Sequence, residues 1–215
     1  MSGSDGYKPA PGTLGRMTAP DLIDAVRDDQ QTELSRLGSS KTLYADTRGE
    51  MEPDAIHAAA AAREAAARDT FEGWEATEGN ADAADLFDDA AADANDRQGD
   101  SDPADREFHV HDALDGLETT VERLGGLVGW TLVDKKIKEQ LTGFFTGQAD
   151  PQTARTYRSA GDEVVELRED AADLLDETCD DWDAAEAAAI DVVAAAYDDY
   201  VETLEDLGVN PKDVC

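Results

Sequence analysis

The stretch PDAIHAAAAAREAAARDTFEGW, residues 53–74, decides the fold class. Pro53 opens it, at a position where a helix needs no amide donor. Ile56, Ala60, Glu64, Ala67, Phe71 and Trp74 then recur every three or four residues. That spacing is one face of an α-helix and does not fit a strand. Alanine, the best helix former, fills seven of the sixteen remaining positions. Glu64 is the exception on the apolar face. A carboxylate among apolar side chains loses its hydration and requires a counter-charge, a metal ion or a proton.

The same period extends to both sides. A first helix is expected from Thr18 to about Asp46, with Thr18 as its N-cap, Pro20 in its first turn and Gly49 as its stop. Its stripe is Ile23, Val26, Gln30, Leu34 or Glu33, Leu37 and Tyr44. Residues 78–106 read as a long acidic connection, in which Leu86 and Phe87 mark a short helix near 81–95. A third helix is expected over 107–146, carrying Val110, Leu114, Leu117, Val121, Leu124, Val128, Val133, Ile137 and Leu141. Gly125, Gly126 and Gly129 in its middle lower helix stability and mark a kink or a close helix crossing.

Asp150 and Pro151 start a fourth helix, with Ala154, Tyr157, Val164, Leu167, Ala171 and Leu174 on one face. A fifth carries Trp182, Ala185, Ala189, Val193, Ala196, Tyr200 and Leu204. Residues 178–181 either cap this helix or are passed through by a continuous one. Its apolar stripe must be covered, by the chain's own bundle or by a second copy. No period-2 run occurs anywhere. The expected fold is all-α: four long helices with a long connection after the second, and an extra C-terminal helix. One domain is expected over 18–207, between a disordered tail at 1–17 and a short tail at 208–215.

Charge bounds the function classes. The chain has 51 Asp+Glu against 18 Lys+Arg, a formal net charge of -33 in 215 residues. Such a charge opposes compaction in dilute salt, and molar salt screens it within about 3 Å. Lysine is scarce, at positions 8, 41, 135, 136, 138 and 212. The apolar 40% recurs at helical spacing, which argues against an acidic disordered chain. The composition is that of a salt-adapted, halophilic protein. A basic surface for nucleic acid is missing. The longest apolar run, 124–133, is too short for a membrane span and no signal pattern opens the chain, so a cytoplasmic location is expected. Cys179 and Cys215 do not make a disulfide framework, and Cys215 is expected to be mobile.

Two further runs carry a resemblance. ELSRLGSSKTLYA, residues 33–45, looks like the first helix of rubrerythrin-type ferritin-like proteins, and IHAAAAAREAAARDTF, residues 56–71, looks like their second. The long connection after it resembles their crossover, and the similarity covers about 18–175. It implies a ferritin-like bundle in which one inward acid from each of four helices holds two iron or manganese ions. The acids in the matching places are Glu33, Glu64, Glu122 and Glu163 or Glu166. The chain departs from the family at histidine. The second helix reads Glu64-Ala65-Ala66-Ala67 and the fourth Glu163-Val164-Val165-Glu166, where the family carries Glu-x-x-His.

The leading expectation is therefore a helical binding or interaction protein with a degenerate metal site and no cofactor. A rubrerythrin-like di-iron or di-manganese oxidoreductase is the alternative. Some proteins resembling this chain are transcription-related, which adds a regulatory adaptor as a third. A protein partner or a homo-oligomer is open to all three.

The remaining candidates weigh toward structure. His109 and His111 are two apart and do not share a helix face, so both read as solvated residues at a helix start. His57 reads as structural. Lys135, Lys136 and Lys138 hold three of the six lysines within four positions. They read either as salt bridges to an acidic neighbouring helix or as a docking patch for an acidic partner or an anion, framed by Trp130, Phe144 and Phe145.

Overall fold

A computed structural model describes residues 17–211. The described residues form nine helices and no strand: α1 Ala19–Asp29, α2 Gln31–Leu37, α3 Ser40–Asp46, α4 Pro53–Glu75, α5 Ala81–Gln98, α6 His109–Asp115, α7 Thr120–Gly147, α8 Pro151–Thr178 and α9 Trp182–Asp206. The expectations placed on residues 1–16 and 212–215, including mobility at Cys215, lie outside the described residues. No described helix is long and apolar enough to cross a membrane.

Helix α4 matches its sequence pattern closely. Ile56, Ala60, Ala67, Phe71 and Trp74 are all buried, and Glu64 is buried with them. It pairs along its length with α5, while α7 packs against both α8 and α9. The three pairings enclose one continuous core.

Three segments depart from the expected helices. The first helix is not continuous to Asp46. Gln30 leaves helical geometry between α1 and α2, and Gly38 and Ser39 separate α2 from α3. The three short pieces can then follow the curved surface made by α7, α8 and α9, which one straight rod would leave. Gly49 is the stop, at φ 92°, with the Tyr44 ring lying over the side where a Cβ would be.

The expected connection at 78–106 holds a full packed helix. Asn80 caps α5 by accepting from Ala83 N at 3.1 Å, and Ala83, Phe87, Ala90, Ala91 and Ala94 are buried. Alanine at that spacing contributes little hydropathy per residue, so the acidic exposed side dominates the composition while the buried side is apolar.

The third helix breaks at 116–119. Thr119 and Glu122 form a capping box: the Thr119 hydroxyl accepts from Glu122 N at 3.2 Å, and the Glu122 carboxylate accepts from Thr119 N at 2.9 Å. Helix α7 therefore starts anew, and α6 stands apart against α9. The glycines in α7 mark a close crossing rather than a kink. A Cβ on Gly125 would sit 2.7 Å from Ala185 Cα, and one on Gly129 2.9 Å from Ala189 Cα. Gly125-x-x-x-Gly129 thus faces Ala185-x-x-x-Ala189, and the two backbones approach directly. Helices α8 and α9 are separate, with Asp181 capping α9 by accepting from Ala184 N at 3.1 Å. The apolar stripe of α9 is covered by the chain's own bundle: Ala185, Ala189, Val193, Ala196, Tyr200 and Leu204 are buried within it.

Candidate functional site

Four acids are in the buried class among the described residues: Asp46, Glu64, Asp134 and Asp199. Each faces a basic side chain. Asp46 receives both Arg63 Nε at 2.7 Å and Arg63 Nη2 at 2.6 Å. Asp199 receives Arg106 Nη2 at 2.9 Å. The Arg63 and Arg106 guanidinium groups both lie over the Phe108 ring, 4.2 and 4.9 Å from its centroid.

Glu64 and Asp134 share the central network. Arg97 Nε donates to Glu64 Oε2 at 3.0 Å. Lys138 Nζ donates to Glu64 Oε1 and, at 3.1 Å, to Asp134 Oδ1. Helix α4 supplies the glutamate, α5 the arginine, and α7 the aspartate and lysine one turn apart. Two anions and two cations close the set without net charge. Burial works to strip the Lys138 ammonium of its proton, but Asp134 and Glu64 outweigh it and hold its pKa above the ordinary lysine value. Burial likewise opposes the Arg97 charge, and Glu64 with Asp134 outweighs it.

The network sits in the wall of a cleft of about 600 Å³ between α4, α5, α7 and α8. His57 Nδ1 and the Tyr157 hydroxyl, 2.9 Å apart, bridge its α4 and α8 sides. Both rings stack near Phe145. Burial, with Glu64 adding, raises the Tyr157 pKa and keeps the phenol protonated. Glu163 stands half-exposed at the cleft, 3.9 Å from Arg97. Burial raises its pKa, with Arg97 opposing and Asp93, Glu166 and Glu64 adding to the rise.

The five acids read as metal ligands are not assembled into one. Glu64 is engaged at both oxygens by cations. Glu122 is spent on the cap of α7. Glu33 lies in the first turn of α2, which packs on α7 and α9 rather than in the α4–α5 wall. Glu163 reaches the cleft and Glu166 is exposed on the next turn. Among the described residues no group of three or more His, Cys, Asp or Glu side chains is placed to hold a metal ion. The lysine patch also divides. Lys138 is buried in the network, Lys135 meets Asp162 at 3.4 Å, and Lys136 meets Glu139 at 3.6 Å. Trp130 and Phe145 are core and do not frame a surface patch.

Sequence reading names Lys138 as a salt-bridging candidate, and it pairs with Glu64 on α4, but it does not pick out Arg97 or Asp134. Arg97 continues the Phe87, Ala90, Ala94 stripe of α5, and Lys138 continues Leu127, Thr131, Asp134 on α7, so both carried a legible helical register. His111 was expected in solvent. It is buried, 3.0 Å from the Thr70 hydroxyl, and burial first, then Arg63, lower its pKa to about 4. A depressed histidine contributes stability above its unfolded pKa of about 6.5 that is lost as pH falls toward 4. The expected result is that the wild type loses about 3 kcal/mol more than His111→Gln between pH 7.5 and 4, from about 1.4 kcal/mol per pKa unit. Urea midpoints of both proteins across that range check it, and parallel profiles would refute it.

No family model matches the chain, nor does any curated protein or solved structure.

Proposed function

We propose that the chain is a salt-adapted, ferritin-like helical protein that acts by binding, with ion pairs where related bundles hold metal. One observation carries the reading: both oxygens of Glu64 are taken by Arg97 and Lys138. Two cations delivered to a carboxylate do the electrostatic work that a metal ion would do, and they exclude one by charge. The residue types agree. Di-iron and di-manganese sites use imidazole with carboxylate, and His57 bonds Tyr157 while His111 bonds Thr70. Iron or manganese therefore does not fit the residues present.

The mutually neutralised interior suits a protein that holds a shape, and the adjoining cleft supplies room for a small molecule. Among the described residues the buried acids are all paired, so their remaining acid excess lies on the more exposed positions, where molar salt screens it. Metal analysis of protein purified from iron- and manganese-replete cells tests the reading. The expected content is far below one ion per chain. Two iron or manganese ions per chain would establish the oxidoreductase alternative instead.

A further inference from the structure

A second hollow, of about 460 Å³, lies where α1 and α2 meet α7 and α8. Its charged lining is Arg27, Lys135, Lys136, Arg168 and Glu139. Four cations against one anion is a local charge opposite in sign to the whole chain, which carries -33.

Arg168 is the telling member. It is only 9% exposed, and among the described residues it makes no hydrogen bond and no ion pair. Among the described residues every buried acid has a counter-ion, whereas Arg168 has none. Burial first, and the charge of Arg27 second, lower its pKa from the usual guanidinium value, with Glu169 opposing. A guanidinium nonetheless keeps its proton, so Arg168 presents charged donors to the hollow with no acceptor among the described residues.

The other three cations are held loosely or from one side. Arg27 meets Asp24 at 3.6 Å, Lys136 meets Glu139 at 3.6 Å, and Lys135 meets Asp162 at 3.4 Å. In the central network the contacts are 3.0 and 3.1 Å. Those looser partners are also more exposed than the buried acids, so each pair adds little on its own. Gly38 leaves room for the Lys136 stem, whose Cδ would be 3.2 Å from a Cβ there. On the far side of Arg27 and Arg168, a separate hollow carries Asp24, Glu169, Asp173 and Asp176, none of which forms an ion pair with Arg168.

We propose that this hollow binds a small phosphate-bearing anion, with Arg168 as the buried anchor and Arg27, Lys135 and Lys136 closing around it. Guanidinium matches phosphate oxygens two at a time, and ammonium groups complete the neutralisation. The volume fits a pyrophosphate or a small phosphorylated molecule rather than a protein segment. General anion attraction does not account for binding here, because the protein as a whole repels anions.

Pyrophosphate titration of the full chain by calorimetry, at fixed ionic strength, tests the proposal. One saturable site per chain is expected. Lys136→Gln should weaken it about tenfold, the loss of one charge-assisted hydrogen bond. Arg168→Gln should weaken it further. Lys136 is 41% exposed at its side chain, so its variant folds even if the Arg168 variant does not. Arg155→Gln removes the same charge from an exposed position elsewhere on α8 and should change affinity little. No saturable heat in the wild type, or equal weakening by Arg155→Gln and Lys136→Gln, overturns the proposal.

Discussion

Lys138→Met is expected to destabilise the protein by about 3–5 kcal/mol, the usual cost of leaving a buried charge uncompensated. The methionine has nearly the right volume and is apolar, so the loss would not come from a cavity. It would come from Asp134 and Glu64. Asp134 makes its one ion pair through Lys138, and its Oδ2 already has no hydrogen-bond partner. Glu64 would keep Arg97 alone. Two anions would then face one cation with both carboxylates buried.

The double variant Asp134→Leu, Lys138→Met removes one anion and one cation together and leaves Glu64 paired with Arg97. It should recover most of the loss, because replacing a buried pair by apolar groups is often neutral. Urea unfolding of wild type, single and double variants measures the coupling. A single-variant cost below about 1 kcal/mol would mean that the Lys138 charge is not what holds the carboxylates. The pH dependence has a definite sign. A raised lysine pKa contributes stability that is present below the unfolded value of about 10.4 and fades as pH climbs through the folded one. On the alkaline side the gap between wild type and Lys138→Met should therefore hold above neutral pH and close in strong alkali.

The same network explains how far the sequence could be read. Glu64 stood out because an acid on the face of Ile56, Ala60, Ala67, Phe71 and Trp74 has no reason to be there without a partner. Its burial followed from helical period alone. The identity of the partner did not, because Arg97 is 33 residues away and Lys138 is 74 away. Such pairing is set by which helices adjoin, and periodicity within one helix is silent on that. Lys138 was grouped with Lys135 and Lys136 by adjacency in sequence. In a helix, consecutive residues point in different directions, and the register of Asp134 and Leu141 was the better guide.

Helix boundaries divide in the same way. The capping residues Thr18 and Asp150 were legible because a side-chain oxygen beside a helical run is a local signal, whereas residues 178–181 leave a cap and a continuous helix equally open in the sequence, and the structure has Asp181 capping α9. Thr119 and Glu122 gave an equally local signal, yet the apolar stripe from Leu114 through Val121 and Leu124 runs across the break and masks it. The break at Gln30 has no cap hydrogen bond from a side chain and follows from packing on neighbouring helices.

Gly125→Ala carries the other large expected effect, because what the new methyl group meets is backbone. In an isolated helix the change would add about 1 kcal/mol of stability through propensity. At the α7–α9 crossing a Cβ on Gly125 would lie 2.7 Å from Ala185 Cα and 2.8 Å from its carbonyl carbon. Helix α9 cannot yield there by turning a side chain. It must move as a rod, and Ala188, Ala189, Val192 and Val193 would lose their close packing with it. Overpacking of this kind costs up to about 3 kcal/mol or more, which exceeds the propensity gain. Ala185→Gly should not rescue the variant, since the atoms struck belong to the main chain. Gly126→Ala meets the Leu117 side chain first, which can rotate, so a smaller loss is expected. Gly73→Ala has nothing within 4 Å and should stabilise by a few tenths to about 1 kcal/mol. Thermal unfolding of the three variants distinguishes a crossing set by backbone contact from one set by side-chain size. If Gly125→Ala ranked with Gly73→Ala, the close approach of α7 and α9 would be wrong.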